Sequence, residues 1–526
     1  MSDLFKRDPV TGAFNPWLIA PTVMLATFME VLDTSVANVS LEHIAGNLSA
    51  TVNESTWVLT SYLVSNAIVL PLTGWFSSLF GRKRFYMVCV TIFTVSSLLC
   101  GLAPSLGMLV FFRVLQGAGG GGLQPVSQAI LVESFPKSKA GMAQAVYAMG
   151  VVVAPIIGPT LGGWITDNYS WRWIFLINIP VGLLSIMLTT LLISDPPYLE
   201  RKKLGEIKID YIGLGLLSVG LGFLQVVLDK GQTDDWFGSR FIVWASVAGA
   251  VGLIGAAVWE WRSRDPIVDL HLLSERNFMI STVTMFLLGV VLYGTTALLP
   301  ILLQTLLGYD AMTSGLVLSP GGIAVLVLLP VAGMLVAHVE ARWLVALGAL
   351  IISVSLFHMG NFNLNIDFGT AMWARVYQSL GMAFLFVPIN VMAFYFVRKE
   401  KVNNASGILN LARNMGGSVG ISAVTTGLAR RAQVHQHDLS GDLNALSGPV
   451  QRMLAEITAA LTARGSDPVQ AAAQAHRMLY GMLQRQATMM AFVDDFRLLG
   501  AIFLCLIPLM FLMKRVRPQK SVVVAH

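Results

Sequence analysis

Charge is scarce in this chain: Asp, Glu, Lys and Arg make up 12% of its 526 residues, about half the share a soluble domain carries. A chain so poor in charge does not surround one core with a solvated surface. Cysteine is rare as well. Cys89, Cys100 and Cys505 each stand inside an apolar stretch without metal-pair spacing, so they read as packing residues and exclude a disulfide framework or thiolate metal site. There is no P-loop, no HExxH pair and no nucleophile elbow, and His271, His338 and His358 are scattered. ATP-driven pumping on this chain is thereby excluded, no cofactor or metal is expected, and a membrane receptor or enzyme stays the less favoured class.

What the chain has instead is apolar length. Hydrophobic residues make up 55% of it, and the mean hydropathy is +0.68. Trp57–Phe80, Phe85–Pro104, Ala140–Ile165, Tyr211–Leu228 and Phe241–Trp259 contain no Asp, Glu, Lys or Arg, and about 20 such residues cross a bilayer as a helix. The pattern predicts an all-α membrane protein of about fourteen spans. They begin near Trp17, Thr56, Phe85, Leu106, Ala140, Arg172, Asp210, Phe241, Phe278, Ala311, Trp343, Phe368, Asn403 and Phe496. The formal charge of +6 comes from short basic clusters between spans, which is an orientation signal and not a nucleic-acid footprint. With the N-terminus inside, 22 basic residues fall in inside segments and 3, Arg172, Lys230 and Arg240, in short outside loops. That asymmetry predicts both termini in the cytoplasm of a multi-pass inner-membrane protein. The polar start, residues 1–16, reads as a retained cytoplasmic tail.

The chain also repeats itself. "FRVLQG" (Phe112–Gly117) aligns with "ARVYQS" (Ala374–Ser379) and "GMAQAVYAMG" (Gly141–Gly150) with "GILNLARNMG" (Gly407–Gly416); "GWFSSLFGRK" (Gly74–Lys83) aligns more weakly with "GMLVAHVEAR" (Gly333–Arg342). Near-equal offsets of half the chain predict two homologous six-helix bundles, 17–194 and 278–526. Two extra helices fall in the linker 195–277. Parallel repeats of six helices are a transporter architecture with its substrate site between the halves near the midplane.

Against this background "TFMEVLDTSVAN" places Glu30 and Asp33 in the first span, three residues apart on one helix face. An intramembrane acid is costly and usually faces the bundle interior or a cavity. Asp33 lies roughly 24 Å along its helix and Arg113 roughly 10 Å from the outer end of its own, so the two stand at a similar level. They form either a permanent ion pair or a switchable one, in which the acid is protonated in one state. Two nearby carboxylates raise one pKa and favour a proton site, although Glu30 also suits a cationic substrate. Arg413, with Asn410 on the same face, is placed near the midplane as an inter-half lock or a cavity rim. Gln116 reads as an interhelical hydrogen-bonder bordering the cavity, and Tyr147, Tyr293 and Phe384 as cavity aromatics. Arg375, about seven residues from the outer end of its span, is placed to snorkel and reads as structural.

In "GVVVAPIIGPTLGGWI", Gly150, Gly158, Gly162 and Gly163 recur on one helix face, and Pro155 and Pro159 remove backbone donors. That predicts a close-packed, bendable contact between halves. Together with "LDTSVANVSL", which includes Asn38, with "FRVLQGAGGGGLQP" and with "WRWIFLINIPVG", the run resembles the signature set of the fourteen-helix drug:proton antiporters of the major facilitator superfamily. Within them the chain is most similar to the EmrB type. The resemblance implies efflux of lipophilic drugs or toxic amphiphiles in exchange for protons, with proton coupling at Asp33, Glu30 and Arg113. It further implies a cavity including Asn38, and a periplasmic membrane-fusion adaptor with an outer-membrane channel as partners. The alternative is proton-coupled transport of a specific metabolite or fatty acid. One element departs from the family pattern: in the loop motif Gly74 to Gly81-Arg82-Lys83, Ser78 replaces the usual acid. That leaves the cytoplasmic charge latch in doubt and lets the basic end serve topology alone.

Residues 430–493 read as an outside amphipathic helical segment. Val450, Met453, Leu454, Ile457 and Leu461 recur at helical spacing, and after the Asp467–Pro468 cap so do Ala475, Met478, Leu479, Met482 and Leu483. The hairpin, Leu439 to Gln486, either lies on the membrane or bundle or docks the adaptor.

Overall fold

The computed structural model describes residues 14–195, 210–263, 266–443 and 447–515. Residues 1–13 of the expected tail and the basic residues at 201–203, 208, 264, 517 and 520 lie outside them. Among the described residues there are helices and no strands. The first half comprises α1 (Pro16–Val39), α2 (Trp57–Phe80), α3 (Arg82–Gly101), α4 (Leu106–Ser134), α5 (Ala140–Asn168) and α6 (Trp173–Leu192). The insertion is α7 (Tyr211–Lys230) and α8 (Arg240–Arg262). The second half comprises α9 (Arg276–Thr305), α10 (Ala311–Leu335), α11 (Ala341–Met359), α12 (Phe368–Phe394) and α13 (Val402–Asp442), then α14 (Gly448–Ala463) and α15 (Pro468–Phe511).

Twelve of these, α1 to α12, are long and apolar enough to cross a membrane among the described residues. The other two expected spans lie in α13 and α15, which miss that measure for a local reason. Asn403, Asn404, Asn410, Arg413 and Asn414 dilute the first, and Asp494, Asp495 and Arg497 crowd the outer end of the apolar stretch in the second. Both nevertheless pack inside the second bundle, α13 against α9 and α15 against α11.

The repeat seen in the sequence is a repeat of packing. In the first half α1 pairs with α5 and α3 with α4; in the second α9 pairs with α13 and α11 with α12. The halves meet reciprocally, α2 on α13 and α5 on α10. Lipid offers no hydrophobic drive between helices, so small residues make these seams. A Cβ added to Gly141 on α5 would collide with the Gly333 carbonyl oxygen on α10, and one on Gly74 of α2 would collide with Asn404 Oδ1 on α13. Gly141→Ala is expected to wedge α5 from α10 at the face bearing Arg82 and Arg398, called inner here. Increased thiol labelling of an Ala145→Cys reporter, which also lines that contact, checks it; unchanged labelling would show that the seam tolerates the methyl.

The insertion is bonded at both ends. Near the outer face Asp229 accepts from Thr60 Oγ1, and Lys230 donates to Thr56 and lies 5.0 Å from the Trp57 ring centroid. Near the inner face Asp269, in the segment after α8, pairs with Lys401 at the start of α13 at 2.5 Å.

The outer segment differs from the expected separate hairpin. Asp467 caps α15 through Val469 N and Gln470 N as its sequence implies, but the helix then continues without a break to Phe511, and α13 likewise runs through to Asp442. Two of the three helices here are therefore extensions of bundle helices. Ala475 and Leu483 turn inward and Leu454 of α14 is buried, whereas Met453, Met478 and Met482 are exposed.

Candidate proton and substrate site

Asp33 and Arg113 meet, as their depths predict. Arg113 Nη1 donates to Asp33 Oδ2 at 2.5 Å, while Gln116 Nε2 and Asn178 Nδ2 donate to Asp33 Oδ1 at 3.0 and 2.8 Å. Ser97 Oγ accepts from both amides. The guanidinium also donates from Nε to the Val58 carbonyl and lies 4.2 Å from the Tyr62 ring centroid. Asp33 and Arg113 are both buried, and an ionised pair here is supported by amides on the carboxylate and by Val58 and Gln116 on the guanidinium, while Arg113 Nη2 has no hydrogen-bond partner among the described residues.

Glu30, one turn earlier on α1, has different company. Its Oε1 accepts from Tyr62 Oη at 3.0 Å and Asn66 Nδ2 at 3.1 Å, and its Oε2 accepts from Gln124 Nε2. Gln124 Oε1 in turn accepts from Arg413 Nη2 on α13. An acid of the first half is thus tied to a cation of the second through one amide. Beside it Tyr147 Oη donates to Asn410 Oδ1 at 2.5 Å and Asn410 Nδ2 to Gln128 Oε1 at 2.8 Å. Gln128 Nε2 donates to Asn390 Oδ1 at 2.7 Å. Gln128 and Asn390 are 262 positions apart, the offset of the internal repeat, so they are counterparts bonding each other across the seam. Tyr147 and Tyr293 both interact with Arg413.

The sequence does not single out Gln124 and Gln128. The helix of α4 pauses at Gly121–Gly122 and resumes at Leu123–Ser134, which turns these two amides, one turn apart, onto the seam. The available signal is "LQPVSQ", two glutamines at i and i+4 in an apolar segment just after a glycine run.

Several expectations are corrected. Asn38 is exposed near the outer end of α1, too far along the helix to join the polar cluster. Phe384 is only partly buried against the core; the aromatic beside the cluster is Phe386, 6.0 Å from the Arg413 guanidinium and 6.2 Å from the Tyr147 ring. Gln116 belongs to the Asp33 network. Arg375 does not snorkel: it is fully buried and bonds Thr295, Thr296 and Gln378. Arg82 is more than a topology signal, because it is buried and paired with Glu133, while Lys83 N donates to Asp195 Oδ1 at 2.8 Å. Gly81 needs its left-handed φ of 81° to turn α2 into α3.

The α5 motif glycines are close-packed, but against α1 of their own half and not between the halves as expected. A Cβ on Gly150, Gly158 or Gly162 would meet Met24, Ser35 or Val36 within 3.0 Å, whereas Gly163 has only Val39 at 3.9 Å. Ser35 Oγ donates to the Pro155 carbonyl at 3.2 Å. Pro159 lies in the same helix, and α5 meets the second half at Ile156 against Gly322 and Thr160 against Gly315. Among the described residues no group of three or more His, Cys, Asp or Glu is placed to hold a metal.

Two bundles, reciprocal seams and a buried polar centre between them correspond to what comparison finds. The Major Facilitator Superfamily model matches residues 23–421. The chain belongs to that superfamily. It is 36% identical to the fatty acid resistance protein FarB of Neisseria gonorrhoeae over 512 residues, covering 96% of this chain and 97% of the relative. It is also 36% identical to the multidrug export protein EmrB of Escherichia coli K12, covering 86% and 88%. In fold it resembles the proton:xylose symporter XylE, with a TM-score of 0.57 at 15% identity over 80% of this chain and 90% of that one.

Proposed function

We propose that the chain exports lipophilic drugs or toxic amphiphiles across the bacterial inner membrane by proton-driven alternating access, with both termini cytoplasmic and α13 and α15 crossing as the remaining two of fourteen spans. The Glu30–Gln124–Arg413 bridge carries this reading. A carboxylate accepts hydrogen bonds only, and a guanidinium only donates. The Gln124 amide satisfies both by aiming its NH2 at Glu30 and its carbonyl at Arg413. Protonated Glu30 gains an O–H donor, and an amide that turns its carbonyl to that proton presents its NH2 to the cation. Proton uptake therefore weakens the tie between halves, which is the coupling an antiporter needs. Asp33, held by Arg113, is the main proton site, and Glu30 relays its state to the seam. The export reading draws support from the resistance and export named in FarB and EmrB.

The test uses energised inverted vesicles: adding a lipophilic compound is expected to release protons from the lumen, and absence of any compound-dependent proton movement would overturn the reading. Glu30→Gln is expected to weaken export of cationic compounds more than neutral or acidic ones, because a buried carboxylate attracts a cation by several kcal/mol at a partly dry site. Equal losses for all charges, measured in the same vesicles, would restrict Glu30 to coupling.

We further propose that α14 and the outer part of α15 dock a periplasmic adaptor leading to an outer-membrane channel. The exposed Met453, Met478 and Met482 support this, since methionine packs adaptably on imperfect surfaces. Met478→Glu with Met482→Glu is expected to abolish whole-cell resistance and spare vesicle transport. Retention of both activities would make the surface dispensable for docking.

A further inference from the structure

The two halves hold corresponding cations in unequal company. Arg113 and Arg375, Gln116 and Gln378, and Asp33 and Thr295 are each 262 positions apart. The correspondence is spatial as well. Arg375 Nη1 donates to Thr295 Oγ1 at 3.1 Å and Gln378 Oε1 at 2.6 Å, and Gln378 Nε2 donates to Thr295 Oγ1 at 2.9 Å. In the first half the same three bonds join Arg113, Gln116 and Asp33. The second half has built the same cradle around a hydroxyl where the first has a carboxylate. Glu30 likewise finds Leu292 as its counterpart.

Arg375 is consequently a fully buried guanidinium with neutral partners and, among the described residues, no carboxylate beside it. Of its five N–H donors, Nη1 directs two at Thr295 and Gln378 and Nη2 one at Thr296. Nε has no acceptor among the described residues. Two donors are left over, the number one carboxylate accepts. A buried cation of this kind is costly without an anion.

We propose that Arg375 binds the carboxylate of an exported amphiphile, which takes in the second half the place Asp33 holds in the first. The inference rests on the export reading and adds a substrate class and a site to it. Gly321 of α10 packs closely on the same place: a Cβ there would come within 2.7 Å of Ser379 Oγ and 3.1 Å of Arg375 Cγ. Arg375 lies in the outer half of α12, so a carboxylate held there leaves outward when the outer ends part. Because the counter-ion comes with the cargo, a neutral analogue lacks what the site requires.

The experiment compares decanoate, its neutral analogue 1-decanol and tetraphenylphosphonium, using the full-length chain in vesicles and in nanodiscs. Thr295→Asp supplies an internal carboxylate and Arg375→Gln removes the cation. Either is expected to lower the decanoate-to-tetraphenylphosphonium ratio of proton release by roughly tenfold or more, the effect of losing a charge-assisted bond, and Arg375→Lys retains part of it. In nanodiscs decanoate is expected to raise the Tm of the wild type and not of Thr295→Asp, while decanol raises neither. An unchanged ratio in both variants overturns the proposal, as does equal loss of both responses in correctly folded protein, which would make Arg375 structural. Protection by chloride as strong as by decanoate also overturns it. Wild-type vesicles inert to every compound would sink the export reading alone, and Arg375-dependent decanoate binding in nanodiscs would still uphold the site.

Discussion

Asp33→Asn is expected to reduce compound-dependent proton movement to background, a loss of at least about a hundredfold, because the amide keeps the shape of the carboxylate and cannot exchange a proton. It also has a structural cost. Removing one partner of a buried pair leaves the other charge uncompensated, at about 3–5 kcal/mol, so Arg113 would face a neutral amide, with Val58 and Gln116 as its remaining acceptors. A single mutant therefore conflates lost coupling with lost stability. The double variant Asp33→Asn with Arg113→Gln separates them, since it removes both charges and leaves amides able to bond each other and Asn178. If the pair only holds α1 to α4, the double variant recovers both folded protein and transport. If the pair is the proton switch, it recovers the folded protein, read by detergent-solubilised size exclusion, and transport stays at background. Recovery of transport would overturn the assignment of Asp33.

How far such a site is legible in a sequence depends on how much each residue costs where it lies. Glu30, Asp33, Arg113 and Arg413 are expensive at membrane depth, so their presence alone locates the centre, and depth counting pairs Asp33 with Arg113 correctly. Gln124, Gln128, Asn178 and Asn390 are neutral and cheap by comparison. Nothing in composition separates an amide that joins two halves from one that bonds along its own helix, and the roles of Gln124 and Gln128 follow from the break in α4 at Gly121–Gly122. Phe384 and Phe386 show the precision needed: two residues are about 200° around a helix, enough to exchange the core for the polar seam. The glycine spacing of α5 was readable because close packing has no other use for so many small residues on one face. The continuity of α15 was not. Asp494, Asp495 and Arg497 look like the start of a membrane span, yet Asp494 pairs with Arg431 at 2.7 Å and His435 at 2.9 Å from α13, so this charge ties together two helices that each continue well past it.

Gln124→Leu carries the second large expected effect. Leucine fills the volume and neither donates nor accepts, so Glu30 keeps only Tyr62 and Asn66, and Arg413 loses its amide link to Glu30 while keeping Tyr147, Tyr293 and Asn414 as company. Proton binding by Asp33 is spared, because that network makes no bond to Gln124. Protonation would then occur without reporting to the second half, and the expected phenotype is uncoupling: vesicles with compound-independent proton leak and export reduced about tenfold or more. That differs from Asp33→Asn, which stops proton movement altogether. Gln124→Glu gives the opposite sign. A carboxylate bonds Arg413 directly and repels ionised Glu30, so the seam is locked by a charge pair and both leak and export fall. Measuring leak and export together in the two variants distinguishes the bridge from a packing role. Equal, moderate losses of export without a change in leak would show that Gln124 only fills space, and the coupling path would have to run elsewhere.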